Sequence, residues 1–239
     1  MKHSSSTNEL PLEWGSFLAA LKSYIDDMKP KIDEIYDYPF FTPDDFAWER
    51  GTQAQKNVAL RKHYNLKWLA ASEQDCLASK EAITRQYIVN FGGIRKNSDE
   101  RISRYAQASD EELAHGKLAG VASWSKVLSI RDPAAYAIYD ARVAFSLNAL
   151  QLQRLGHVGV WFPLLPTQNA TLKRVQRPFA NIKPKLEHRI KSKFAYRRYM
   201  EALSHAVGNG APDDGEMILF AVAPKLARDW ASANIPAKA

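Results

Sequence analysis

Apolar side chains recur with the period of an α-helix along nearly the whole chain, and this pattern leaves little room for a sheet. Over residues 10–28 they fall at Leu10, Trp14, Phe17, Leu18, Leu21 and Ile25, the i, i+3, i+4, i+7 stripe of an amphipathic helix. Pro30 ends or restarts that helix, and Ile32 and Ile35 mark a short turn beyond it. Residues 55–90 read as helical throughout, with Leu60, Tyr64, Trp68, Leu69, Cys76, Leu77, Ile83, Tyr87 and Ile88 on buried faces, until Phe91-Gly92-Gly93 stops the run. Ser98 opens another helix. Ser109 and Glu112 have the spacing of a capping box, and residues 123–130 form a further helix that ends at Asp132-Pro133. Helices follow over 141–155, over 196–207 up to Gly208-Asn209-Gly210, and over 216–231 with an interruption at Pro224. Only 156–169 has extended character, so the expected class is mainly α.

Composition narrows the function. The 239 residues, 46% of them hydrophobic, suffice for one large core, and residues 10–239 are expected to form a single domain behind a flexible tail of residues 1–9. The single cysteine, Cys76, excludes an intramolecular disulfide and any multi-cysteine metal site; its flanks place it as a buried thiol on a helix face. The cysteine usage fits a cytoplasmic protein, and no window approaches the roughly 18 apolar residues of a membrane span. A net charge of +7 points to a polyanionic partner.

The chemistry concentrates in residues 109–150. Lys117-Leu118-Ala119-Gly120-Val121-Ala122 separates two short helices. Gly120 permits a tight turn close to a sugar-phosphate chain, and the opening amides of the next helix, at Val121, Ala122 and Ser123, can receive a phosphate. About twenty residues later stands Ile138-Tyr139-Asp140-Ala141-Arg142-Val143. Asp140 is placed either as the N-cap of the following helix, as a catalytic carboxylate, or as both.

The Gly-Val turn, the helix carrying Ser125-Lys126-Val127-Leu128, Pro133 and Asp140, in that order, resemble the helix–hairpin–helix DNA glycosylases, in particular the 8-oxoguanine-glycosylase-like bacterial branch, which includes an anti-phage type. The resemblance spans about a sixth of the chain. It implies a two-lobed helical fold with a cleft between the lobes, a monomer acting on double-stranded DNA without a cofactor or metal, and excision of a flipped base. In such chemistry positive charge grows on the deoxyribose, and a carboxylate at the position of Asp140 stabilises it and activates water. The family's Schiff-base lysine would fall at Trp124. Lys126 stands about 200° further around an ideal helix, so it is expected to face elsewhere, and hydrolysis without strand cleavage is the preferred reading. Lys126 stays in view as an amine nucleophile or phosphate ligand. Arg142 replaces the family's histidine and can pair with Asp140 or a phosphate.

Residues 173–198 form the expected DNA-facing segment. Lys173, Arg174 and Arg177 lead a basic run opposed only by Glu187, with aromatics interleaved. Trp48, Phe91 and Trp161, in irregular segments, are the base-stacking candidates, with Tyr38 in the aromatic loop 36–48 beside them; core packing is the alternative role for each. The histidines show no metal-ligand spacing, so no metal is expected. The substrate stays open between glucosylated hydroxymethylcytosine of phage DNA, which the anti-phage resemblance puts first, and an oxidised base. A DNA-binding module without catalysis is the alternative, followed by an all-α interaction protein with a fortuitous Gly turn.

Overall fold

The chain is helical in the computed structural model, which describes residues 10–235; the expected tail of residues 1–9 lies outside them. The helices are α1 (Trp14–Met28), α2 (Ile32–Ile35), α3 (Gln53–Glu73), α4 (Leu77–Gln86), α5 (Asp99–Gln107), α6 (Asp110–Ala114), α7 (Val121–Arg131), α8 (Ala141–Leu155), α9 (Ala170–Phe179), α10 (Ala195–Val207) and α11 (Pro212–Asn234). No strand forms among the described residues, and one isolated bridge joins Trp161 to Arg189.

The packing follows two sets of neighbours. Helix α11 lies on α8, α9, α10 and α2, while α1 lies on α8 and α10. Helix α7 is covered by α3, α5 and α6, and α4 bridges α3 and α5. Both α7 and α8 are buried along most of their length, Ser123–Ile130 and Val143–Gln151 without a gap, so each is enclosed on all sides. Their buried polar groups are hydrogen-bonded. Asn148 grips the N–H and C=O of Phe162, and Gln151 does the same for Val160 while also accepting from Gly159 N–H. These two amides take the place of a partner strand, which is why 156–169 has extended character without a sheet.

Several expectations need correction. The helix over 55–90 is broken at 74–76, where Asp75 adopts φ +46°, and it ends in a π-turn, Tyr87–Phe91. Cys76 is therefore the N-cap of α4, half-buried, with the Ser79 hydroxyl donating to its sulfur at 3.1 Å and holding the thiol below its ordinary range. Leu77, just after the break, is exposed, and so is Leu69, which falls off the buried stripe of α3. Pro224 does not interrupt α11, which begins earlier, at Pro212, and runs through it. Helix α9 was hidden in sequence by the basic run around it.

Candidate active site

The hairpin begins with α6, whose capping box is complete: Glu112 N–H donates to Ser109 Oγ, and Ser109 N–H donates to Glu112 Oε2. Gly120 has φ +77°, and an added Cβ would run into the Tyr105 hydroxyl, so both backbone and space require glycine. Gly120 C=O accepts from the N–H groups of Ser123 and Trp124, and Leu118 C=O accepts from Val121 N–H. The amides of Val121 and Ser123 are thus occupied within the turn. Those of Gly120 and Ala122 have no backbone acceptor among the described residues. The side chains of Val121 and Ser123 are buried as well, and Asn97 donates to the Ser123 hydroxyl at 3.3 Å.

One helical turn beyond Ala122, α7 presents Lys126. The expectation that this lysine faces away from Asp140 is overturned: both line one cavity of about 40 Å³ with Tyr36, Tyr38, Phe91, Gly92, Ile138, Glu216 and Phe220. The connection after α7 brings this about. Tyr139 N–H donates to the Ser125 hydroxyl at 3.1 Å, which itself donates to Val121 C=O. This pins the segment beside the Lys126 face of α7. Trp124 points to the opposite side, packed edge-to-face on Tyr196.

Asp140 has the capping role foreseen for it. Its Oδ1 accepts from Arg142 N–H at 2.9 Å and Val143 N–H at 3.0 Å. Its other oxygen makes no hydrogen bond among the described residues. Lys126 is 5% exposed, and its Nζ donates to Ala122 C=O at 2.9 Å. Burial pushes the lysine below its ordinary range; Asp140 and Glu216 oppose that, and Arg61 adds to it. The lysine stem passes over Gly92, where a Cβ would lie 2.5 Å from Lys126 Cε. Gly92 thus opens the path by which the lysine reaches the cavity.

Glu216 and Arg61 were not foreseen. Glu216 Oε2 is 2.6 Å from Arg61 Nη1, both side chains being almost wholly buried, and it accepts Ile138 N–H at 3.0 Å. Burial pushes the Glu216 carboxyl up while Arg61 opposes the shift. Arg61 Nε donates to Asn57 Oδ1 at 3.0 Å, and Asn57 donates to the Tyr36 hydroxyl, so a polar chain runs behind the cavity. A sequence signal existed in each case. Glu216 is spaced i+3 and i+7 from Leu219 and Ala223, and Arg61 stands among Asn57, Tyr64 and Trp68 on the buried face of α3.

The cavity runs from a half-exposed rim of Tyr38, Asp140 and Phe220 to a buried floor of Tyr36, Phe91, Lys126, Ile138 and Glu216. Arg142 lies over the Phe220 ring at 4.2 Å and near Tyr38 at 5.5 Å. It is thus turned onto the aromatic rim, and no ion pair with Asp140 forms. Of the expected stacking residues, Phe91 and Tyr38 reach the cavity. Trp161 is buried in the core beside Phe179, where Gln151 and Asn148 hold its segment, and Trp48 stacks on Phe46; neither lines the cavity. A wider groove of about 890 Å³ lies on the Trp124 side of α7, with Glu100, Glu112 and Lys117 among its lining.

Lys173, Arg174 and Arg177 are exposed on α9, opposite the buried Leu172, Val175 and Phe179. Helix α9 packs on α11, which carries Glu216 and Phe220. Among the described residues no helix is long and apolar enough to cross a membrane, and no group of His, Cys, Asp and Glu is arranged to hold a metal ion. No protein-family model, curated protein or solved structure matches the chain.

Proposed function

We propose that this chain is a helix–hairpin–helix DNA glycosylase that flips a modified base out of double-stranded DNA and cleaves its N-glycosidic bond. One observation carries the reading: Lys126 and Asp140 line the same aromatic-walled cavity, one turn along the helix whose first residues form the glycine hairpin. On this reading the two sets of packed helices would be its two lobes, with α7 in one and α8 and α11 in the other. The open amides of Gly120 and Ala122 would hold a phosphate, and the α9 cations would contact the flanking backbone.

The extruded sugar would lie against Asp140. As the C1′–N bond breaks, its electron pair leaves with the base, and the free carboxylate oxygen stabilises the positive sugar. In the hydrolytic form Asp140 takes a proton from water as the water oxygen attacks C1′, giving an abasic site. The base is protonated as it departs. The burial of Lys126 in the same cavity favours a second form, in which the neutral amine attacks C1′ instead and gives a covalent imine after ring opening. A cavity of about 40 Å³ holds only a water or so, so a base enters after the rim of Tyr38, Phe220 and Arg142 moves aside. Glucosylated hydroxymethylcytosine in phage DNA, and hence antiviral defence, ranks ahead of an oxidised base; both rest on resemblance.

The test is incubation with duplexes carrying single modified bases, with mass analysis of what is released, alongside borohydride trapping. Base release lost in Asp140→Asn with DNA binding retained is the expected result. A trapped adduct that disappears in Lys126→Met selects the amine form, and release in Lys126→Met at the wild-type rate selects water. Binding without release from any duplex would leave a DNA-binding module.

A further inference from the structure

Lys126 and Asp140 account for the sugar end of the cavity, but a third charged group, Glu216, lines the same space with no chemistry assigned to it. Its surroundings are specific. Arg61 at 2.6 Å favours the charged carboxylate against its burial, and both Arg61 and Ile138 N–H engage Oε2. Of the other polar groups on the floor, the Tyr36 hydroxyl accepts from Asn57 and Lys126 donates to Ala122 C=O. The remaining wall is made of the Tyr38, Phe91 and Phe220 rings with Gly92 and Ile138. Planar rings around one fixed carboxylate make a site for a flat heterocycle that offers an N–H donor.

We infer that Glu216 reads the edge of the flipped base and selects nucleobases that carry an exocyclic amine. The inference rests on the glycosylase reading for bringing a base into this cavity. An ionised carboxylate only accepts hydrogen bonds, so an amine of the cytosine or adenine type satisfies it, while the carbonyl at the same place in uracil or hypoxanthine sets acceptor against acceptor. The base lesion itself, on the other edge of the ring, is left to the aromatic rim. Glu216 sits on α11 and Lys126 on α7, so base reading and sugar chemistry come from different helices.

The experiment measures binding of the full chain to duplexes holding one uncleavable 2′-fluoroarabino nucleotide, in pairs that differ only by amine or carbonyl: cytosine and uracil, their 5-hydroxymethyl forms, and adenine and hypoxanthine. The tightest-bound probe should be an amine member, preferred over its carbonyl partner by about tenfold. In Glu216→Gln the preference should collapse or invert, because the amide can donate to a carbonyl. Should the single variant fold poorly, Arg61→Met combined with Glu216→Gln carries the same test without an unpaired buried charge. Equal binding within every pair, a carbonyl member bound tightest, or an equal loss on both members in the variant would overturn the inference. The last outcome would make Glu216 only the support of Ile138. Base release from the natural counterparts is measured in parallel. An amine preference without release from any duplex upholds the role of Glu216 and removes the glycosylase reading.

Discussion

Breaking the Arg61–Glu216 pair tests whether the wall behind the cavity is held by charge. Both side chains are nearly inaccessible, at 1% and 4%, with 2.6 Å between Nη1 and Oε2. Arg61→Met would leave the Glu216 carboxylate without its ion-pair partner, a change that costs about 3–5 kcal/mol in buried pairs. In a chain of this length each kcal/mol moves Tm by about 2–4 °C, so a fall of roughly 6–20 °C is expected. Glu216→Gln strands the guanidinium instead, although the amide oxygen can still accept Ile138 N–H, and Asn57 still receives Arg61 Nε. Its cost should therefore lie toward the lower end of the same range. The double variant removes both charges and keeps the acceptor for Ile138, so it should be more stable than Arg61→Met alone, with a coupling of about 2 kcal/mol or more. Urea unfolding followed by tryptophan fluorescence and circular dichroism gives the four corners of the cycle. Additive losses, or single variants within about 0.5 kcal/mol of wild type, would refute the account of a charge-locked wall.

Gly120→Ala forces a side chain into the left-handed region and against Tyr105. It should cost about 1–2 kcal/mol from the backbone alone, with the excess above that relieved in a Tyr105→Phe background, as thermal denaturation would show. On the proposed DNA-binding reading, replacing Lys173, Arg174 and Arg177 by alanine should flatten the dependence of log DNA affinity on log salt by about 0.9 for each phosphate contact removed, measured by titration at several ionic strengths; an unchanged slope would remove α9 from the proposed interface. His157 is raised by its hydrogen bond to Glu13 and by the Leu155 carbonyl, so its contribution is present in full below its unfolded pKa of about 6.5 and is lost as pH rises through the higher folded value. The effect is small because the ring is largely solvated, and the pH dependence of Tm across this window should be reduced in Glu13→Gln.

The helical class could be read from sequence because most helices keep one apolar stripe, and local signals such as the capping box at Ser109 mark where they start. What escaped was set by tertiary contacts. The break at Asp75 rests on a left-handed residue that is not glycine, and Pro224 sits inside α11 without ending it. Both go against local preference. Of the site, Gly120, Asp140 and Phe91 were legible as residues, but the facing of Lys126 was not. Its orientation depends on where the segment after Asp132 is pinned, and the Ser125–Tyr139 hydrogen bond that pins it joins residues fourteen apart. Trp161 misled for a related reason: an irregular, extended segment suggested a stacking residue, whereas Asn148 and Gln151 satisfy the segment's backbone in the interior.

Helix α7 acts as a ruler. Ala122 at the hairpin and Lys126 in the cavity are four residues apart on one unbroken, enclosed helix, which sets an axial offset of about 6 Å between them. A rod packed on all sides cannot stretch or swivel to suit a different substrate. On the proposed glycosylase reading, adaptation to new bases falls on parts that do not carry the scale: the rim at Tyr38, Phe220 and Arg142, and the α11 face around Glu216. Variants selected for altered base choice should accumulate there, while the interval from Gly120 to Lys126 tolerates neither insertion nor deletion.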